Sequence, residues 1–314
     1  MSGHANIRIL LTGKNGQLGS ELCRLLPGLG EVVSFGRAEL DLTNPDAIRR
    51  AVRDARPRLI VNAAAYTKVD QAEKEESVAF AVNAEAPALL AEEAKKIGAA
   101  LVHYSTDYVF DGTKNAPYVE SDPPNPLSVY GRSKLAGEEA IRASGAPHLI
   151  LRTAWVYATS GHNFLLTILR LSTQREELRV VCDQFGAPTW SREIAAGTVC
   201  ILSLLANPSR NSDSLATASG TYHMTAGGKT SWCHFAEAIL EESSHAVRNA
   251  SWFVAATNGL PQLTRRVTPI TSAEYPTPAS RPAYSVLSNE RLRTTFGFQL
   301  PDWRTQLRAV FESS

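Results

Sequence analysis

A phenol, an ammonium and a hydroxyl stand at spacings that could carry out the reduction of a carbonyl. Tyr130 and Lys134 lie four residues apart in Tyr130-Gly-Arg-Ser-Lys134. On a helix such residues share one face, so the ammonium can sit near the phenol and favour the phenolate. A tyrosine tuned in this way is a usable acid near neutral pH. Thr106, in His103-Tyr-Ser-Thr-Asp-Tyr-Val-Phe110 at the end of an apolar run, supplies a third group to hold a carbonyl oxygen. Taken alone, a Tyr-x-x-x-Lys is more often a solvated helix face with the tyrosine stem packed. The pattern therefore needs a hydride source beside it.

The other end of the half-chain supplies one. Ile7-Arg-Ile-Leu-Leu-Thr12 reads as a strand that runs into Gly13-Lys-Asn-Gly16-Gln-Leu-Gly19, with a helix from Gln17 to about Leu26. Strand, glycine turn and helix in that order aim backbone N–H groups and the positive end of a helix dipole at a diphosphate. Gly13 permits the tight turn, Gly16 lets the backbone approach phosphate, and Gly19 allows helix to pack on strand.

Between these motifs the chain alternates. Strands are expected at Glu31–Phe35, Leu59–Asn62, Ala100–Ser105 and His148–Arg152, and helices after Asn44-Pro45, over about Ser77–Lys96 and over Val129–Ser144. Apolar strands separated by helices predict an α/β fold with a doubly wound, Rossmann-like parallel sheet covered on both faces. The glycine turn and Thr106 then meet at one carboxyl edge of that sheet. Beyond Trp155 the rhythm changes: helices at Phe164–Ser172, Ser191–Leu205, Ser231–Ser243 and Trp303–Glu312, strands at Leu178–Val181 and Gly220–Met224, a polar surface loop at Asn207–Ser219 and a proline-punctuated stretch at Thr268–Pro282. This predicts a dinucleotide-binding domain from residues 1–157 and 178–218, and a smaller substrate-binding domain from 158–177 and 219–314.

Composition narrows the class. With 314 residues and 44% hydrophobic content the chain can bury a large core. A formal net charge of +1, without basic runs, gives no case for nucleic acid. The start Met1-Ser-Gly-His-Ala lacks the charged and apolar regions of a leader, and no apolar run is long enough to span a membrane, so the chain reads as cytoplasmic. Cys23, Cys182, Cys200 and Cys233 are scattered without metal-ligand spacing and are expected to be reduced and structural.

Across nearly its whole length the chain resembles the dTDP-4-dehydrorhamnose reductases of the extended short-chain dehydrogenase/reductase superfamily. The glycines and the Tyr/Lys pair mark only the superfamily. Ser105-Thr-Asp-Tyr-Val-Phe-Asp-Gly112 and Asp183-Gln-Phe-Gly-Ala-Pro-Thr189 single out the reductases, supported by Asn62-Ala-Ala-Ala-Tyr-Thr-Lys-Val-Asp70, Arg152-Thr-Ala-Trp-Val-Tyr157 and Tyr275-Pro-Thr-Pro-Ala279. The resemblance implies hydride transfer from the cofactor to the 4-keto carbon of a nucleotide-linked 6-deoxy sugar. Tyr130 would donate the proton, Lys134 would lower its pKa and hold the nicotinamide ribose, and Thr106 would orient the carbonyl. Gly16, Gln17 and Leu18 would line the diphosphate; Ala65, Tyr66, Thr67 and Tyr104 would border the cofactor, and Asp41 and Leu42 would also contact it. Asp107 and Trp155 would contact the sugar, although a tryptophan after an apolar strand is as readily core. Asn83 would anchor a water or the lysine region, or serve equally as a polar helix residue. Arg281 would reach the diphosphate or pair on the surface.

Three departures sharpen the reading. After the second strand stands Phe35-Gly36-Arg37, with no carboxylate to repel a 2′-phosphate. Arg37, aided by Lys14, can pair with that phosphate, which predicts NADPH with NADH tolerated. Some relatives place three carboxylates around magnesium at a dimer interface, where this chain has Glu21, Arg192 and Glu290, so no metal is expected and a monomer is favoured over a homodimer. Related dehydratases carry Thr-Asp-Glu where Tyr108 follows Asp107 here, which argues against dehydration. The alternative is a non-catalytic binding protein resembling the regulatory subunit of methionine adenosyltransferase; retention of Thr106, Tyr130 and Lys134 together favours the enzyme.

Overall fold

In the computed structural model, residues 7–206, 214–244, 246, 247 and 249–313 are described. The N-terminal segment expected to lack a leader and the first part of the expected polar loop, residues 207–213, lie outside them. Strand β1 (Ile7–Thr12) leads through the glycine turn into α1 (Gln17–Leu25), then β2 (Gly30–Phe35), α2 (Pro45–Ala55) and β3 (Leu59–Asn62). Asn44 caps α2 by accepting from the amides of Asp46 and Ala47, with Pro45 in the first turn. The first half closes with α3 (Ala86–Ile97), β4 (Ala100–Thr106), α4 (Val129–Ser144) and β5 (His148–Thr153).

The helix expected over Ser77–Lys96 is interrupted. Glu76–Phe80 is α-helical and Ala81–Glu85 is a π-helical turn before α3 begins. Pro87 explains the break, because it has no N–H to give the carbonyl four residues earlier.

The second half holds α5 (Phe164–Ser172), β6 (Glu177–Val181), α6 (Ser191–Leu205), β7 (Gly220–His223), α7 (Trp232–Ser243), β8 (Arg266–Ile270) and α8 (Trp303–Glu312). Five of the six strands of the main sheet come from the first half, in the order β7-β5-β4-β3-β1-β2 and all parallel. One face packs against α1 and α6 through Ile9, Leu11, Leu22, Val102, Ile194 and Leu202; the other packs against α2, α3 and α4. A second core forms around Leu165, Leu178, Phe235, Leu307 and Phe311, between α5, β6, α7 and α8.

Strand pairing runs across the expected division of the chain. β7, assigned to the substrate domain, adds to β5 at the edge of the main sheet, whereas β6, assigned to the dinucleotide domain, pairs with β8. Apolar strand signals carry no register, so the sequence alone could not say which sheet each would join. β8 itself, a helix at Ser251–Thr257 and another at Glu290–Phe296 went unread. The cysteine expectation is corrected as well: Cys182, just after β6, and Cys233, at the start of α7, are joined in a disulfide, while Cys23 and Cys200 are free. Among the described residues no helix is long and apolar enough to cross a membrane.

Candidate active site

The glycine turn folds as a cradle. Gly13 adopts φ +78°, and a Cβ there would meet the backbone of Ala63 and Ala64 at 2.7–2.8 Å. Its amide and that of Lys14 both donate to the Phe35 carbonyl, and Gly16 N–H donates to the Gly13 carbonyl at 2.9 Å. Gly16 caps α1 without any side-chain hydrogen bond, and no acidic residue occupies the first turn. The amides at this helix start and its positive dipole end therefore suit an anion. Gly19 packs rather than lines: a Cβ there would sit 1.9 Å from the Gly13 carbonyl oxygen.

A cleft of about 1030 Å³ opens along the carboxyl edge of the sheet. Gly13, Gly16, Gln17 and Leu18 border it, as do Arg37, Asp41 and Leu42 after β2 and Ala65, Tyr66 and Thr67 after β3. Tyr104, Tyr130 and Lys134 line its far end, so the two sequence motifs share one cavity. The shape and the cradle fit a dinucleotide. Asn83 has a defined place beside it: its side chain accepts from Tyr66 N–H at 2.8 Å and donates to the Tyr66 carbonyl and to Ser133 Oγ, each at 3.0 Å. It thereby ties the loop after β3 to α4 between Tyr130 and Lys134.

Thr106 and Asp107 sit beside this end of the cleft, buried at the end of β4. Burial pushes the Tyr130 phenol up to about 12, with a hydrogen bond involving the Thr106 side chain opposing the rise and the Asp107 charge adding to it. The buried Lys134 ammonium is engaged elsewhere, donating to the Tyr104 carbonyl at 2.6 Å and lying 3.0 Å from His103 Nε2. Burial brings Lys134 down to about 8, against the opposing pull of Glu138. A phenol held protonated is the form that can donate. Asp107 is pushed up to about 6 by burial, opposed by hydrogen bonds from Ser285 and Thr106.

Trp155 takes a left-handed backbone conformation, φ +47°, and its ring stacks face to face on Trp232 with centroids 3.5 Å apart. A Cβ on Gly186 would meet that ring at 2.4 Å, so the segment Asp183–Thr189 lies against Trp155. Arg281 lines the cleft but is committed to Asp70, with contacts of 3.1 and 2.7 Å that join the loop after β3 to the C-terminal half. Tyr108 lies edge-on to Tyr130 at 5.6 Å.

The family described as RmlD substrate binding domain matches residues 7–314. A dTDP-4-dehydrorhamnose reductase of Burkholderia thailandensis is 51% identical over 298 residues, covering 95% of this chain and 96% of its own. The chain belongs to this reductase family. A dTDP-4-dehydrorhamnose reductase of Clostridium acetobutylicum superimposes with a TM-score of 0.85 at 36% identity, covering 98% of this chain and 99% of that one. One from Bacillus anthracis, solved in complex with NADP, gives 0.85 at 34% identity over 98% of this chain and 100% of that one.

Membership in the reductase family leaves this chain's own features to be placed. Glu39 corrects the expectation that no carboxylate stands near the end of β2. Its Oε2 accepts the Gly36 amide at 2.8 Å and its Oε1 binds Lys14 Nζ at 2.7 Å, so Lys14 is neutralised rather than free for phosphate. Of the three positions compared with a magnesium site, Glu21 pairs with Arg24, Glu290 pairs with Arg293, and Arg192 lies over the Trp190 ring. Other cleft residues went unread in the sequence: Asn15, Thr153, Val156 and His162. The buried Thr153 hydroxyl has no hydrogen-bond partner. The polar pair Arg152-Thr153 closing the apolar run Leu149–Leu151 is the available signal.

Proposed function

We propose that this chain reduces the 4-keto group of dTDP-4-dehydrorhamnose to give dTDP-L-rhamnose, with NADPH as the reductant. The observation that carries this reading is a half-buried, protonated phenol beside Thr106 that lines the same cleft as a glycine cradle suited to a diphosphate. When bound, the cofactor supplies the hydride. The residues supply the rest. Gly13 and Gly16 shape the turn, their own amides being spent within it, and the amides of Gln17 and Leu18 at the start of α1 hold the diphosphate; Ala65, Tyr66, Thr67 and Tyr104 border the dinucleotide, with Arg37, Asp41 and Leu42 at its adenosine side.

Thr106 orients the ketone oxygen, and Tyr130 Oη gives its proton to that oxygen as negative charge develops there. An alkoxide is far more basic than a phenolate, so a phenol near 12 still donates downhill. The Lys134 ammonium then lowers the cost of the phenolate left behind. Asp107 accepts a sugar hydroxyl, and Trp155, held between Trp232 and the Gly186 backbone, presents its edge to the pyranose. Arg281 holds the C-terminal segment over the cleft, donating through both terminal nitrogens to Asp70 and through Nη1 to the Ala279 carbonyl.

The division of labour is a proposal too. The main sheet binds the dinucleotide, and the core of α5, β6, α7, β8 and α8 carries the sugar-binding side. We place the chain in the cytoplasm, as a monomer without a structural metal. The test is oxidation of NADPH by the purified chain with dTDP-4-dehydrorhamnose, using the uridine analogue as control. A chain that binds the sugar nucleotide but turns nothing over would instead support a non-catalytic role.

A further inference from the structure

Three neighbouring parallel strands carry a row of polar side chains that the reaction as derived does not use. Thr12, Asn62 and His103 are register partners across β1, β3 and β4, so their side chains stand on one face of the sheet. All are essentially unexposed, as is Lys134 on the helix above them. They are bonded in series: Thr12 Oγ1 to Asn62 Oδ1 at 2.6 Å, Asn62 Nδ2 to His103 Nδ1 at 3.0 Å, and His103 Nε2 to Lys134 Nζ at 3.0 Å. Lys134 Nζ completes its contacts at the Tyr104 carbonyl.

Counting donors leaves two self-consistent arrangements. In the first, the Thr12 hydroxyl donates to the amide oxygen, the amide nitrogen donates to Nδ1, and the neutral imidazole carries its proton on Nε2. Nε2–H then points at Nζ, which must accept, so Lys134 is an uncharged amine. In the second, Lys134 is an ammonium that donates to both Nε2 and the Tyr104 carbonyl. The imidazole proton then sits on Nδ1, and the Asn62 amide is turned over so that its oxygen accepts from Nδ1–H and its nitrogen donates to Thr12 Oγ1. A doubly protonated imidazole fits neither, and burial together with the adjacent Lys134 holds His103 well below its usual value.

We propose that His103 is a positioning residue for Lys134, and that its tautomer, tied to the orientation of the Asn62 amide, sets whether Lys134 is an ammonium or an amine. The inference rests on the reading of Lys134 as part of the reductive site. Of the other ionisable groups around Lys134, Glu138, one turn on along α4, is held as a carboxylate by Arg152 of β5; Tyr130, one turn back, is a half-buried neutral phenol; and Asp107, after β4, is pushed up by burial only to about 6, below Lys134. The row also explains why a threonine, an asparagine and a histidine occupy a face where apolar residues would fill the same space: Asn62 bonds both neighbours, and each neighbour has Asn62 as a partner.

The test uses two substitutions that push in opposite directions. In His103→Gln a carbonyl oxygen can face Nζ but no tautomer exchange remains, so the ammonium is favoured. In His103→Leu the ammonium loses an acceptor in a dry site. The titration of Lys134 is read by NMR of its labelled side chain in the protein without substrate, assigned by its loss in Lys134→Met. It should rise by about half a pH unit or more in the Gln variant and fall by at least as much in the Leu variant. The alkaline limb of kcat/KM should move the same way in each. A merely structural role for His103 would lower stability without opposite shifts. Titrations unchanged in both would overturn the proposal, and if the Leu variant does not fold, an unchanged Gln variant does so alone. Because the NMR reading needs no turnover, a chain inactive toward the sugar nucleotide would defeat the proposed reaction and leave this inference standing or falling by its own shifts.

Discussion

The Asn83 carbonyl oxygen occupies the place where residue 137 would carry a Cβ, 2.1 Å from the ideal position of that atom. Gly137 on α4 thus lets the π-helical turn approach, and that approach sets the height of Asn83 against Tyr66 and Ser133. Alanine at 137 would gain about 1 kcal/mol in helix propensity. The overlap is with backbone, which cannot rotate away, and forcing such a contact costs about 1–3 kcal/mol. Gly137→Ala should therefore lower Tm despite its better propensity, with KM for the cofactor rising as the loop at Ala65–Thr67 is displaced. A Tm at or above the parent's would show that the helices part freely.

Tyr130→Phe keeps the ring against Tyr108 and removes only the proton donor. The rate of ketone reduction should fall by about two orders of magnitude or more. Binding of the sugar nucleotide should largely survive. Steady-state kinetics and a calorimetric Kd on the same preparation check both halves; near-parent turnover would reject the assignment.

Cofactor choice turns on Arg37 and Glu39 together. Arg37 is exposed at the cleft and available to a 2′-phosphate, whereas Glu39 lies folded onto the Gly36 amide with Lys14 as its counter-charge. The hydrogen bond from Lys14 and the Gly36 amide hold the Glu39 carboxyl below its usual range, so it is charged at neutral pH. Arg37→Ala should weaken NADPH more than NADH. Glu39→Gln should do the reverse, freeing Lys14 and removing a negative charge near the phosphate. Kd values for both cofactors, measured by nicotinamide fluorescence, decide the matter.

Much of the site was legible because its signals are local. Strand, glycine turn and helix lie within Ile7–Leu25, and the helix Val129–Ser144 is one amphipathic run with Ser128 as its cap. What stayed hidden depends on contacts between distant segments. Glu39 reaches Lys14, 25 positions back, which residue types do not announce. Thr12, Asn62 and His103 become a row only once the register of three strands is known. Trp155 could not be told from a core residue until Trp232 and Gly186, 77 and 31 positions on, were seen against it. The same limit applied to β6 and β7, whose apolar patterns fit either sheet.

Removal of metal should leave the reaction untouched. Glu21 and Glu290 each have an arginine one helical turn away to satisfy them, and Arg192 carries the wrong charge for a cation site. Activity should be the same before and after exhaustive chelation, and sedimentation should give the mass of one chain. A loss restored by added magnesium would refute this.

Beneath the site, Glu138 and Arg152 form a buried pair. Arg152 Nε donates to Oε1 at 2.8 Å and its Nη2 to Oε2 at 2.7 Å, with side-chain exposures of 3% and 0%. Burial alone would raise the Glu138 carboxyl, but the hydrogen bonds and charge of Arg152 outweigh it and hold the group below its usual value. A carboxylate depressed in the folded state adds stability above its unfolded pKa of about 4.3, and that contribution is lost as pH falls through the folded value. Arg152→Met strands the carboxylate, with only the half-exposed Arg142 left to it, and should cost about 3–5 kcal/mol at neutral pH. In the variant the buried Glu138 is raised instead, so folding now takes up a proton and stability should climb as pH falls from 7 towards 5. Chemical denaturation at both pH values checks the sign: the gap between parent and variant should narrow on acidification, and a gap that stayed constant or widened would mean that Arg152 contributes by packing against Phe110 rather than by its charge.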